Sequence, residues 1–326
     1  MDSVITIAMP TRNRILYIDR VLSSVYSQVY PKKKTKLVFV DESTDGTYEQ
    51  LLLWKKQHDQ EYLAIDLAHA ESHGFISNAR NLCIAKMEGD IIFFWDSDVI
   101  APDPEALTRV INMLGGSAAV SGFPYFTEKP SLYERVMQSE TVLGGMGFTA
   151  IKKEVFEKAG TFNEKLKVNE DTDFFSRAKN FGYKIKFDGS TPCLHLKKER
   201  QSNFRIALRD YRFRLKWCFS NQPFLYRELI KAGSKAHLFR ILYYFGLPII
   251  LVLWLVNFAL PFVPWFPATL LALAYVLFNL CYHVWRAKLN RSWGVVAFLY
   301  YSPCGVAVSY GYFMSLFIGF KGKEIS

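Results

Sequence analysis

The chain has 326 residues, half of them hydrophobic, and a formal charge of +10. That length admits one large domain, or a domain with an appendage. Charge and hydrophobicity are concentrated in different stretches, and their placement beside long uncharged runs argues for a membrane, and against nucleic acid, as the partner of the basic residues.

From the start, MDSVITIAMPTRNR lacks a basic n-region and a long apolar core, so it does not read as a signal peptide. Cys83, Cys193, Cys218, Cys281 and Cys304 form no C-x-x-C pair and no metal-ligand spacing. Both features place the N-terminal part in the cytoplasm. Residues 1 to 196 alternate between two patterns. Apolar, β-rich runs predict strands at Val4–Met9, Lys36–Val40, Ala64–Ala68, Asp90–Trp95 and Ala118–Phe123, with another at Lys184–Asp188. Helical spacing predicts helices at Ile15–Gln28, Tyr48–Gln57, Ser77–Met87, Pro104–Leu114 and Asp171–Phe181. Such alternation predicts an α/β fold, a doubly wound sheet with helices on both faces, whose ligands bind beyond the carboxyl ends of the strands. The stretch GGMGFTAIKKEVF (144–156) reads either as a glycine-lined wall of a site or as a turn-rich strand.

The polar residues cluster where that architecture expects a ligand. Thr11, Arg12 and Arg14 follow the first strand, Asp41 the second and Asp96 the fourth. A hydroxyl, guanidinium groups and a carboxylate suit a nucleotide. Asp96 and Asp98 are one residue apart after the run IIFFW, and two carboxylates this close raise each other's pKa unless a cation lies between them. Mg²⁺ or Mn²⁺ suits such a pair, because these hard ions take one or two carboxylates and complete their shell with phosphate oxygens. Together the residues describe a nucleoside diphosphate held by a metal. Glu170 and Asp171 open a helix whose N-terminal dipole favours ionised carboxylates; they are either caps or the base of a reaction.

Between Lys197 and Arg240 twelve Lys and Arg face three acids, which locates nearly all of the excess charge. Phe204, Leu208, Tyr211 and Leu215 form a helical stripe, with Arg205, Arg209, Arg212 and Lys216 beside it. An apolar stripe bordered by a basic one predicts a helix lying in the interface of an anionic leaflet. Arg200, Arg205 and Arg209, with Glu170, are candidates to meet a lipid phosphate or an acceptor. Then come 45 residues without Asp, Glu, Lys or Arg (Ile241–Trp285) and, after a short basic link, 29 more (Ser292–Phe320). A bilayer core needs roughly 20 apolar helical residues. About three spans are therefore expected, over 241–262, 266–285 and 293–320. Basic residues flanking them favour the cytoplasmic side.

The segments MPTRNR (9–14), VDESTDGT (40–47), GFISNARN (74–81), WDSD (95–98) and GTFNEKLKVNEDTDFFSRAKNFGYKI (160–185) together resemble a family 2 glycosyltransferase of GT-A-type fold. The resemblance covers about 190 residues. It implies that Thr11 and Arg14 lie along the nucleotide, that Asp41 meets the base and that Arg80 lies near the diphosphate. Asp96 would lie near the ribose and metal, and Asp98 would bind the metal. His195, in CLHL, would be a metal or phosphate ligand, and Asp171 the catalytic base. The loop after Asp41 is one residue shorter than the family's D-D-G-S-x-D pattern, which leaves the roles of Glu42 and Asp45 open. The implied enzyme is a multi-pass protein of the cell membrane with a cytoplasmic catalytic domain. It inverts the anomeric centre and moves sugar from a UDP- or GDP-linked donor to a membrane-associated, polyprenyl-linked acceptor. Two alternatives are a processive polysaccharide synthase and a non-catalytic nucleotide-sugar-binding scaffold. The Q-x-x-R-W motif of the former ends here as QSNFR without tryptophan.

Overall fold

The computed structural model describes residues 3–69, 74–114, 118–123, 125–126, 145–166, 169–189, 193–196, 204–220, 265–286 and 291–318. The chain forms two compact units, Met1–Lys129 with Val142–Glu199, and Pro130–Thr141 with Arg200–Ser326.

In the first unit, β1 (Ile5–Thr11), β2 (Thr35–Asp41), β3 (Ala64–His69), β4 (Ile91–Trp95), β6 (Ala118–Gly122), β8 (Phe148–Lys152) and β9 (Lys184–Phe187) form one mixed sheet in the order β3-β2-β1-β4-β8-β6-β9. Pairing is parallel from β3 through β4 and between β6 and β9, while β8 runs antiparallel to both of its neighbours. The first two strands are buried along their whole length, as helices on both faces require. Side-chain alternation then divides the core in two. Ile7, Met9, Leu37, Phe39, Phe93 and Trp95 face a layer containing α1 (Ile18–Tyr26), α2 (Thr47–His58) and α4 (Ala106–Asn112). Ala8, Val38, Val40, Ile92 and Phe94 face the other, made by α3 (Ile76–Ala85), α5 (Lys153–Ala159) and α6 (Glu170–Asn180).

The stretch 144–156 resolves into β8 followed by α5, although residue 144 lies outside the described residues. A second, small sheet joins β5 (Val99–Ile100), β10 (Cys193–His195) and β7 (Tyr125–Phe126) in the order β5-β10-β7. It pairs His195 with Val99 and fixes His195 next to Asp98, where the Leu196 N–H donates to the Asp98 carbonyl at 2.7 Å.

In the second unit, the described helices are α7 (Phe204–Ser220), α8 (Trp265–Arg286) and α9 (Arg291–Ile318). The stripe expected to face lipid on α7 is divided. Tyr211 and Leu215 pack on Ala297, Tyr300 and Cys304 of α9, while Leu208 is exposed. The Tyr211 hydroxyl donates to the Tyr300 carbonyl, a reason for this side of α7 to turn inward. Among the described residues no helix is long and apolar enough to cross a membrane. The span expected over 241–262 lies outside them. The other two fall on α8 and α9, whose apolar run is broken by Asn279, His283, Pro303 and several Tyr and Ser residues.

Candidate active site

The carboxyl ends of β1, β2 and β4 surround a cavity of about 270 Å³, lined by residues that include Thr11, Arg12, Arg14, Glu42, Arg80, Asp96, Asp98 and His195. Three elements build its centre. Arg14 lies just beyond β1, in a loop held by Asn13, which adopts a left-handed conformation (φ 52°) and accepts from the Thr44 N–H at 2.9 Å. The Arg14 N–H donates to the Thr47 hydroxyl at 2.8 Å, so the start of α2 fixes the backbone of this arginine. Its guanidinium reaches Asp98 at 3.1 Å, and His195 Nε2 approaches the other Asp98 oxygen at 3.2 Å. Asp98 thus sits between a guanidinium and an imidazole.

Asp96 follows the last residue of β4 and is turned the other way. Arg80 Nη2 donates to its Oδ1 at 3.4 Å. Its backbone N–H donates to the Gly147 carbonyl at 2.9 Å, and a Cβ at Gly147 would stand 2.5 Å from its Oδ2. Glycine at 147 is what leaves room for this carboxylate. Burial raises the Asp96 pKa and Asp98 adds to the rise, while Arg80 and His195 oppose it. Burial would also weaken the Arg80 charge, but Asp96, Glu170 and Asp171 outweigh it and hold the arginine above its ordinary pKa.

Asp41 does not line the cavity. It is fully buried, its carboxylate accepting from the Ser43 hydroxyl at 2.6 Å and pairing with His69 Nδ1 at 2.7 Å. The His69 ring packs on Tyr48, with centroids 4.3 Å apart. Glu42 faces the cavity instead, 3.7 Å from Arg12. Sequence reasoning missed Glu42, which lies one residue beyond the end of β2, because the covering of Asp41 by Ser43 and His69 is decided by packing. Asp45, whose role the sequence left open, is a structural tie. It accepts from the N–H groups of Ile15 (3.2 Å) and Thr47 (3.1 Å).

Glu170 is the first residue of α6 and points to Arg80, whose Nη1 donates to its Oε1. Burial raises the Glu170 pKa against the pull of Arg80. Asp171 is half-buried and accepts from the Thr172 N–H at 2.6 Å. It is not among the cavity-lining residues, although its charge acts on Arg80. Of the arginines expected to meet an acceptor or a lipid phosphate, Arg200 lies outside the described residues, Arg205 lies on α7 and Arg209 is exposed on α7.

No group of three or more His, Cys, Asp or Glu side chains poised to hold a metal occurs among the described residues. The donor set still suits an ion that draws most of its ligands from phosphate and water, since Asp98 and His195 already face one another across one edge of the cavity.

Residues 6–184 match the family Glycosyl transferase family 2. Glycosyltransferase AglE of Haloferax volcanii is 26% identical over 198 residues, 56% of this chain and 64% of AglE. A poly-β-1,6-N-acetyl-D-glucosamine synthase of Staphylococcus epidermidis is 23% identical over 221 residues, 58% of this chain and 52% of the synthase. The chain therefore spans less than two thirds of the length of either relative. Among solved structures, mannosyltransferase PcManGT from Pyrobaculum calidifontis, in complex with GDP-Man and Mn²⁺, superposes with a TM-score of 0.60 at 17% identity, covering 93% of this chain and 87% of that one. S. aureus TarS 1–349 in complex with UDP-GlcNAc gives 0.51 at 17% identity, covering 98% and 93%. These likenesses establish a GT-A-like fold. With the family match covering more than half of its residues, the chain belongs to glycosyl transferase family 2.

Proposed function

We propose that the cavity binds the diphosphate end of a UDP- or GDP-linked sugar and that the chain transfers the sugar, with inversion, to a polyprenyl-linked acceptor at a membrane. The observation that carries the donor reading is the convergence of Arg14, Asp98 and His195 from three separate elements on one cavity at the carboxyl ends of the strands. In this reading Thr11 and Arg14 lie along the nucleotide, and Glu42 with Arg12 stands at the outer wall in place of Asp41. Mg²⁺ or Mn²⁺, when bound by Asp98 and His195, would neutralise the charge that grows on the departing diphosphate. Asp171 would accept the proton of the incoming hydroxyl from the face opposite the leaving group, a role worth roughly 10²–10⁴ in rate.

Membrane attachment is supported by the uncharged runs of the sequence and by the placement of side chains on α8 and α9. Leu270, Leu273, Leu277 and Phe278 of α8 and Leu299 of α9 are exposed, whereas Asn279 and His283 are 4% exposed. His283 stacks on Tyr301, with ring centroids 5.5 Å apart. Apolar side chains outward and polar ones between helices suit a lipid surround. The basic face of α7, with Arg209, Arg212 and Lys216, would then lie toward anionic headgroups and the acceptor phosphate.

The test uses membranes from cells expressing the chain, incubated with GDP-mannose or UDP-N-acetylglucosamine, Mn²⁺ and polyprenyl phosphate. A new lipid-linked sugar, absent with Asp171→Asn, is expected. Sugar transfer to lipid that is undiminished in the Asp171→Asn membranes overturns the assignment of the base. Complete release of the protein by alkaline carbonate overturns its membrane embedding.

A further inference from the structure

Arg80 is expected to lie near the diphosphate, yet its geometry is that of a group already engaged. Its side chain springs from the middle of α3 and is 5% exposed. One terminal nitrogen donates to Glu170 and the other to Asp96, while Nε is buried without a hydrogen-bond partner among the described residues. The guanidinium lies 5.5 Å from the centre of the Phe162 ring and 6.0 Å from that of Phe94. Both terminal nitrogens of this cavity-lining arginine are thus already held by carboxylates, and Glu170 is itself 8% exposed, so pulling the guanidinium away from it would leave a buried charge without its partner.

The same face of α3 holds the chain that leads into α6. The Ser77 hydroxyl donates to the Leu166 carbonyl at 3.2 Å. Asn81 exchanges two hydrogen bonds of 2.9 Å with the backbone of Phe162. Asn169, in a left-handed conformation (φ 62°), then turns the chain into Glu170 and Asp171. Three residues of one helix therefore hold Phe162, Leu166 and Glu170.

We infer that Arg80 and Glu170 are a positioning pair, which seats the turn carrying Asp171 against the strand end carrying Asp96, and that Arg80 is not a ligand of the donor diphosphate. The inference rests on the reading of Asp171 as the base. Glu170 neutralises one side of the guanidinium and Asp96 the other, so the base-bearing helix and the donor side of the site share one buried cation. A base moved by about 1 Å can lose about 100-fold in rate, without any change in the contacts that bind the nucleotide.

The experiment compares full-length wild type with Arg80→Lys, Glu170→Gln, the double variant Arg80→Met/Glu170→Met with its two single variants, and Asp171→Asn. Affinity for GDP and for UDP is measured calorimetrically in Mn²⁺, and turnover as nucleoside diphosphate released from saturating GDP-mannose or UDP-N-acetylglucosamine. Arg80→Lys and Glu170→Gln should bind nucleotide within about threefold of wild type while kcat falls at least about tenfold. The Met double variant should lose no more kcat than the worse of its singles, as coupled partners do. A loss of nucleotide affinity of about tenfold or more at unchanged kcat makes Arg80 a diphosphate ligand and overturns the inference, as do additive losses in the double variant. Should neither sugar nucleotide be turned over, amide hydrogen exchange at Asp171–Asp173 decides. Faster exchange in Arg80→Lys supports the pair, and unchanged exchange overturns it. Undiminished turnover in Asp171→Asn removes the base reading instead, which separates the two failures.

Discussion

Asp45 holds two loops with one carboxylate, and its protonation is a measurable event. Its burial would raise the pKa, but the Thr47 hydroxyl and the N–H groups of Ile15 and Thr47 outweigh that and set it below the ordinary value. A carboxylate depressed in the folded state stabilises it above the unfolded pKa, and that contribution is lost as pH falls through the folded pKa. Asp45→Asn should therefore cost about 0.5–1 kcal/mol at neutral pH, as loss of an exposed helix-start acceptor does, and progressively less below pH 4. Chemical denaturation of the two proteins at pH 7 and in acid checks this, and a constant gap refutes it. Nucleotide binding should survive Asp45→Asn, whereas Asp98→Asn should remove most of the dependence of nucleotide affinity on Mn²⁺, read by calorimetry. Gly147→Ala offers a third residue-scale check. The new methyl has no room beside Asp96, so turnover should fall about 10–100-fold at nearly unchanged expression. Wild-type activity in that variant would show that Asp96 moves freely.

The legibility of each element follows from how local its causes are. The first four strands and the helices between them announce themselves through short apolar runs with β-branched residues and helical spacing, and the structure has them within a few residues. Helix α1 starts at Ile18 and not at Ile15, because Asn13 and Arg14 are spent on bonds to Ser43 and Thr47. Strand β8 was ambiguous in the sequence, since an antiparallel strand inserted between β4 and β6 is a long-range choice that no local pattern encodes. The site was legible as a cluster of residue types but not as a set of partners. Asp41 and Glu42 are adjacent, and only packing decides which one His69 and Ser43 cover. Helix α6 depends on a tie of the same long-range kind. Arg177 bonds Asp173 at 2.8 Å and donates to the carbonyl of Thr161 at 2.8 Å, joining the helix to the loop after α5. Asp173 is buried, so Arg177→Met should destabilise the protein by about 3 kcal/mol by stranding that carboxylate. Double-mutant analysis with Asp173→Met should recover part of the loss, and strict additivity would assign the stabilisation elsewhere.

At the scale of the whole molecule, donor binding should be visible as stability. GDP or UDP with Mn²⁺ at a hundredfold excess over its dissociation constant should add about 2.7 kcal/mol to the unfolding free energy of the first unit. A melting transition indifferent to both nucleotides would remove the donor site from this cavity. The sheet order has a further consequence, for how the protein is made. Strands β3, β2, β1 and β4 all come from residues 5–95, so this half of the sheet can assemble as soon as that stretch has left the ribosome. At that moment β4, the run IIFFW, has β1 along one side and nothing along the other, because its second neighbour is β8 at Phe148–Lys152. Synthesis at 5–20 residues per second leaves that edge open for about 3–10 s. A bare apolar edge is a template for the wrong chain. Nascent chains arrested before residue 148 should therefore be held by chaperones or aggregate once released, and chains arrested after β8 has emerged should not.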